Sequence, residues 1–97
     1  MRHYEMMAVI DADLDSDSDE AAVKKIESLI TKNHGKIEKI DQLGKRRLAY
    51  EINHKREGNY RVLYFNGDPS TINEIDRVMD ITDEVLRFGI FRMPEKR

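Results

Sequence analysis

Residues 36–65, KIEKIDQLGKRRLAYEINHKREGNYRVLYF, contain two β-prone segments with a polar segment between them. In the first, Gly44 indicates a bulge or bend in one long strand. Apolar residues recur at every second position in its second half, and we expect three of them to be structural: Leu48, Tyr50 and Ile52. Residues 53–59 are predicted to form a polar loop and residues 60–65 a return strand. The centre of the chain is therefore predicted to be a β-hairpin.

A strand and a helix are predicted before this hairpin. Residues 2–10 alternate as a strand, and one face carries Tyr4, Met6, Ala8 and Ile10. Residues 11–20 carry six acids and no base, and they lead into a helix whose free amides need acceptors. The cap candidates are Asp17, Ser18 and Asp19. Helical spacing follows at Val23, Ile26, Leu29 and Ile30. Gly35 is predicted to end this helix in a left-handed conformation.

A second helix and a last strand are predicted after the hairpin. Residues 68–70 open the helix, and Thr71 with Glu74 predicts a capping box. Its buried stripe is Ile72, Ile75, Val78 and Met79. Residues 85–93 alternate as a strand that Pro94 ends. The order predicts one domain over residues 1–97, of the α+β class: a ferredoxin-like βαββαβ sandwich, with a four-stranded antiparallel sheet and two helices on one face.

The sheet face away from the helices is predicted to be unusually apolar. A sheet wetted on one side alternates apolar with polar residues, yet residues 60–65 place apolar side chains on both faces. Met7, Val9 and Phe91 add to the face away from the helices. Two interpretations stay open: ordinary exposed apolar area, or a surface covered by another protein or by stacked bases.

Composition and motifs argue against several classes of protein. Without cysteine there is no disulfide framework, thiolate nucleophile or Cys-ligated metal. The acidic run departs from a calcium loop at Ser16 and Ala22, and the three histidines lie far apart in the sequence. The longest fully apolar run, residues 6–10, is far shorter than a membrane helix. We therefore expect a cytoplasmic protein with no metal, cofactor, small-molecule substrate or catalytic activity.

The distribution of charge favours RNA more than the net charge of −2 does. Without the six acids of residues 11–20, 13 acids remain against 17 bases. From this charge map the candidate RNA-binding residues are Arg2, His3, Tyr4, Lys45, Arg46, Arg47, Arg87 and Arg92, where Tyr4 stacks or packs beside the other residues of the set. We expect the acidic loop to be held away from them. With so few phosphate contacts, RNA binding by the chain alone should be weak and should need a basic partner.

Recognition of RNA is expected to rest on contacts with the phosphate backbone and the shape of the RNA. The RNA recognition motif, which shares this topology, needs aromatic residues at two positions of its third strand. This sequence has Asn59 and Arg61 there. Stacking of single-stranded bases is therefore disfavoured.

The hairpin also resembles a known family. Gly44-Lys45-Arg46-Arg47-Leu48-Ala49-Tyr50-Glu51-Ile52-Asn53 resembles the signature segment of bacterial small-subunit ribosomal protein S-six, and residues 1–5, MRHYE, resemble that family's start. The resemblance implies a structural, non-enzymatic component of the small ribosomal subunit that pairs with ribosomal protein S-eighteen and binds the central domain of small-subunit ribosomal RNA. Glu51 stands where many members have Pro.

Two rival functions use the same topology. A regulatory small-molecule-binding or dimerisation domain explains the apolar sheet face but leaves the consecutive bases of residues 45–47 unexplained. An acylphosphatase-like enzyme needs a phosphate cradle after the first strand, where this chain has an acidic loop that repels phosphate.

Overall fold

Six elements follow one another in the predicted order. The structure, a computed structural model, describes residues 2–93. The elements are β1 (Arg2–Asp11), α1 (Ser16–Lys32), β2 (Lys36–Ile52), β3 (Lys55–Gly67), α2 (Pro69–Met79) and β4 (Val85–Arg92). The predicted ferredoxin-like class is confirmed. Pro94, predicted to end the last strand, lies outside the described residues.

The four strands form one antiparallel sheet in the order β2-β3-β1-β4. In its register Tyr4 lies opposite Phe65, and Met6 lies opposite Leu63. The predicted alternation of β1 is confirmed, because Tyr4, Met6, Ala8 and Ile10 are all buried. The core joins this sheet face to both helices through Tyr4, Met6, Ala8, Ile26, Ile30, Leu63, Phe65, Ile75, Met79 and Val85. Each large apolar side chain buried there contributes roughly 1.5 to 3 kcal/mol.

The hairpin turn is shorter than predicted. Only Asn53 and His54 connect the strands, and both have positive φ, 50° and 64°, as the two central residues of a type I′ turn require. Residues 55–59, predicted as loop, therefore belong to β3. The polar composition of these residues suggested a loop. The chain reverses within two residues, however, so the strand begins already at Lys55. Gly44 does mark a bulge, with a φ of 89° and a register shift beside it.

Both ends of α1 differ from the prediction. The N-cap is Asp15, whose carboxylate accepts a hydrogen bond from the Ser18 amide at 2.7 Å, so the three cap candidates were wrong. At the other end the left-handed residue is His34, with a φ of 69°, and not Gly35. The Gly35 amide instead donates to the Ile30 carbonyl at 2.8 Å. Gly35 has no room for a side chain, because an added Cβ would lie against the backbone carbonyls of Ile30 and Asn66.

The capping box of α2 uses a different pair from the predicted one. Asp68 is the N-cap and accepts from the Thr71 amide at 3.2 Å, while the Thr71 hydroxyl accepts from the Asp68 amide at 3.2 Å. Glu74 pairs with Arg77 on the helix surface instead. Because the helix begins at Pro69, Thr71 occupies the third helical position, and Glu74 lies too far along to reach the cap.

Gly35→Ala should lower the free energy of unfolding by about 1 to 3 kcal/mol, because overpacking a tight site forces neighbours to move. An added Cβ would lie 2.7 Å from the Ile30 carbonyl oxygen and 3.0 Å from the Asn66 carbonyl oxygen. Urea unfolding measures the change. Gly89→Ala is the control, since its Cβ would meet only the ring of the exposed Phe91. Equal stability of wild type and Gly35→Ala would contradict the expected clash.

Candidate nucleic-acid interface

The register separates the predicted RNA-binding residues into two groups at opposite ends of the sheet. Arg2 lies opposite Gly67 on β3, whereas Arg46 lies opposite Gly58. Those two positions are nine steps apart along β3, which is about 30 Å at the usual rise of a strand. We call Arg2, His3 and Arg92 the amino-end group, and Lys45, Arg46 and Arg47 the hairpin group. A single small RNA contact therefore cannot engage all the predicted residues.

The hairpin group lies at the base of an arm, residues 45–58, that begins where β1 ends. All three side chains are exposed, and none of them forms an ion pair with another described residue. Successive residues of a strand point to opposite sides, so Arg46 projects from one side of the arm, and Lys45 and Arg47 project from the other. The arm thus presents positive charge on both sides.

The amino-end group is assembled from β1 and β4. The His3 ring nitrogen Nδ1 lies 3.0 Å from Glu38 Oε1, and both side chains are nearly half exposed. Arg2 and Arg92 are exposed. Sequence reasoning missed Lys36, an exposed base that lies opposite Asn66, itself the partner of His3. No local motif marks Lys36, and only the pairing of the strands brings it to this end.

Tyr4 is a correction to the predicted set. Its side chain is 7% exposed, and its ring stacks on that of Phe65 with centroids 5.6 Å apart. Tyr4 lies on the face of β1 that the helices cover, so its ring is packed in the core and does not offer a surface to a base.

Arg87 belongs to neither group. It lies opposite Val9, donates a hydrogen bond to the Tyr50 hydroxyl and holds its guanidinium carbon 5.6 Å from the centre of that ring. Tyr50 is 58% exposed, so its predicted structural burial was wrong, whereas Leu48 and Ile52 are half-buried. The long strand extends past the part of the sheet that the helices cover. The contact joins the arm to the sheet.

The face away from the helices, here the open face, is apolar as predicted. Met7 lies opposite Val62, and Val9 lies opposite Tyr60. The apolar side chains of the open face are Met7, Val9, Tyr60, Val62, Tyr64 and Phe91. Of these, Val9 and Val62 are buried, and the charged Glu5 and Arg87 lie on the same face. A groove runs along it between β1 and β4, and the Phe91 ring beside that groove is 58% exposed.

The acidic loop lies beside the hairpin arm, and the expectation that it is held away was wrong. Lys55 Nζ lies 2.6 Å from Asp13 Oδ2 and 3.4 Å from Asp11 Oδ2. The hydrogen bond and charge of Lys55 lower the pKa of Asp13 below its usual range, and the charge of Lys45 lowers it further. Asp11 lies opposite Gly58, so the loop leaves the sheet where the arm begins.

Arg61 is withdrawn from the surface altogether. It is 6% exposed and donates a hydrogen bond to Asp19, which is 7% exposed in the first turn of α1.

Within residues 2–93 no three His, Cys, Asp or Glu side chains come close enough to hold a metal ion. No helix among those residues has the length and hydropathy needed to cross a membrane.

Comparisons with known proteins agree over nearly the whole chain. The sequence model of the family described as "Ribosomal protein S6", that is, the S-six family, matches residues 3–92. The small ribosomal subunit protein bS6 of Symbiobacterium thermophilum is 53% identical over 95 residues, covering 98% of this chain and 100% of its own. That of Moorella thermoacetica is 42% identical, covering 99% and 98%. The crystal structure of 30S ribosomal protein S6 from Thermotoga maritima superposes with a TM-score of 0.89 at 33% identity, covering 95% of this chain and 87% of that one.

Proposed function

Since this chain belongs to the ribosomal protein S6 family of the small ribosomal subunit, we propose that it binds the central domain of small-subunit ribosomal RNA together with ribosomal protein S-eighteen. Its role is structural and non-enzymatic, and residues 1–97 act as one cytoplasmic, ribosome-associated domain. No cofactor takes part.

The observation that carries the RNA contact is the hairpin group. Three consecutive bases are exposed on a projecting arm, and Lys45, Arg46 and Arg47 have no carboxylate partner among the described residues. Phosphate contacts by such side chains supply affinity without reading sequence. The amino-end group, about 30 Å away along β3, is a second place where RNA is held.

The open face supports the protein partner. An exposed aromatic ring beside an apolar groove favours a protein partner. Contiguous apolar area marks interaction sites, because covering it removes apolar surface from water. Phe91 is 58% exposed at this groove. The chain has a net charge of −2, so a basic partner on the open face adds the positive charge that the chain lacks. We assign this position to S-eighteen.

The test compares the chain, S-eighteen and the pair for binding to a central-domain RNA fragment at physiological salt. The pair should bind at least about 10-fold more tightly than either protein, as joint contacts add phosphates. Phe91→Asp should weaken the pairing, whereas Ile81→Asp should not. Ile81 is 75% exposed in the connection between α2 and β4 and does not line the groove.

Two outcomes would contradict the proposal. Unchanged pairing by Phe91→Asp would place S-eighteen elsewhere, and equal RNA affinity of the pair and the single proteins would remove the joint site. A chain that dimerised through the open face, seen as a Phe91-dependent change in sedimentation, would favour the alternative of a dimerisation domain.

A further inference from the structure

The acidic loop between β1 and α1 meets the hairpin arm through Lys55. The Lys55 ammonium lies between two carboxylates, at 2.6 Å from Asp13 and 3.4 Å from Asp11. The Asp13 side chain is 74% exposed, while those of Lys55 and Asp11 are 32% and 17% exposed. A negative charge therefore stands in solvent at the place where RNA would approach the arm.

The loop is held in this position by its own hydrogen bonds. The Asp11 amide donates to the Glu84 carbonyl at 2.9 Å, and the Asp13 amide donates to Asp11 Oδ1 at 3.0 Å. Asp15 then caps α1. Both ends of the segment are fixed, so Asp13 stays beside the arm when no RNA is bound.

The field of Asp13 also reaches the hairpin group. The charge of Lys45 adds a small part to the lowering of the pKa of the Asp13 carboxyl, after the larger effect of Lys55. At physiological ionic strength exposed charges interact over about 8 Å. The same attraction offsets part of the positive charge that Lys45 would offer to phosphate.

We propose that Asp11 and Asp13 make the hairpin arm selective: they occupy Lys55 and offset Lys45, so the arm holds unrelated RNA weakly. This inference rests on the proposed RNA-binding function. An RNA that engages the amino-end group or S-eighteen as well gains contacts that the loop does not weaken. A short unrelated duplex that reaches only the arm lacks those contacts and is held weakly. Asp13 is thus a specificity-determining residue that need not touch the RNA.

The test uses the full chain without its partner and an RNA duplex that is unrelated to the ribosome and too short to reach both the arm and the amino-end group. Asp13→Asn removes the charge and keeps the shape, and it should raise affinity for that duplex roughly 3- to 10-fold at low salt. The dependence of log affinity on log salt should steepen by up to about one unit if Lys55 becomes free for one phosphate. Fluorescence anisotropy across a salt series measures both.

Asp17→Asn is the matched control. It changes the net charge equally, and Asp17 is exposed in the first turn of α1 with no ion pair among the described residues. Its effect should stay below about 2-fold. Equal gains by the two variants would mean that only net charge matters, and no gain by Asp13→Asn would mean that the loop does not oppose RNA; either result overturns the inference. The unrelated duplex separates this result from a failure of the ribosomal role, which is read only on central-domain RNA.

Discussion

Replacing Asp19 with alanine is expected to lower the free energy of unfolding by about 3 to 5 kcal/mol, because the buried guanidinium of Arg61 then loses its carboxylate. Arg61 lies on β3 and Asp19 in the first turn of α1, and both are more than nine-tenths buried. The pair joins α1 to the sheet. Urea unfolding followed by circular dichroism measures the loss.

Removing the charge of Arg61 as well should recover most of the lost free energy of unfolding. Asp19→Ala combined with Arg61→Met removes both charges, and an apolar pair of similar volume is often as stable as a buried ion pair. Asp17→Ala removes an exposed acid from the same helical turn and should change the free energy by about 0.5 kcal/mol or less. A loss below about 1 kcal/mol for Asp19→Ala would mean that Arg61 regains water when its partner is removed.

Replacing Arg46 and Arg47 together by alanine should weaken RNA binding by the pair with S-eighteen roughly 10-fold or more at physiological salt. Each lost phosphate contact should also lower the salt slope by up to about one unit. Both side chains are exposed on the arm and neither lines the apolar groove, so folding and partner binding should survive. Filter binding across a salt series gives both quantities.

The matched control is Lys24→Ala with Lys25→Ala. These exposed lysines lie on α1, and their loss changes the net charge by the same amount. The control should bind nearly as wild type does. Unchanged affinity and slope for the arginine variant would make the hairpin group solvated surface, and equal losses for the two variants would replace the local contact by a general effect of charge.

Periodicity was enough to predict the elements of this fold, because burial on one face imposes a repeat of two on β1 and of about 3.6 on α1 and α2. The ends of the elements depended on chemistry that periodicity does not carry. Whether Asp15 or Asp17 caps α1 depends on which residue holds an extended φ and ψ. Likewise, the left-handed residue is His34 because the Gly35 amide bonds back to the Ile30 carbonyl, which places His34 at the position after the C-cap Asn33.

The candidate site was predicted less completely than the fold, because the sequence shows which residues are charged but not where each side chain lies in the structure. Arg61 and Arg46 look alike in the sequence, yet one is buried against Asp19 and the other is exposed. The separation of the amino-end group from the hairpin group follows from strand register alone. The contact of Lys55 with Asp13 joins residues 42 positions apart, so no local pattern could reveal it.

The measurement that tests the central claim most directly is co-sedimentation of the full chain with small ribosomal subunits. We expect the chain to sediment with small subunits and not with large ones at low salt, and to leave them at about 1 M salt, where screening reduces the range of phosphate contacts to about 3 Å. A chain that stays at the top of the gradient at low salt, or that sediments equally with both subunits, would contradict a structural role in the small subunit.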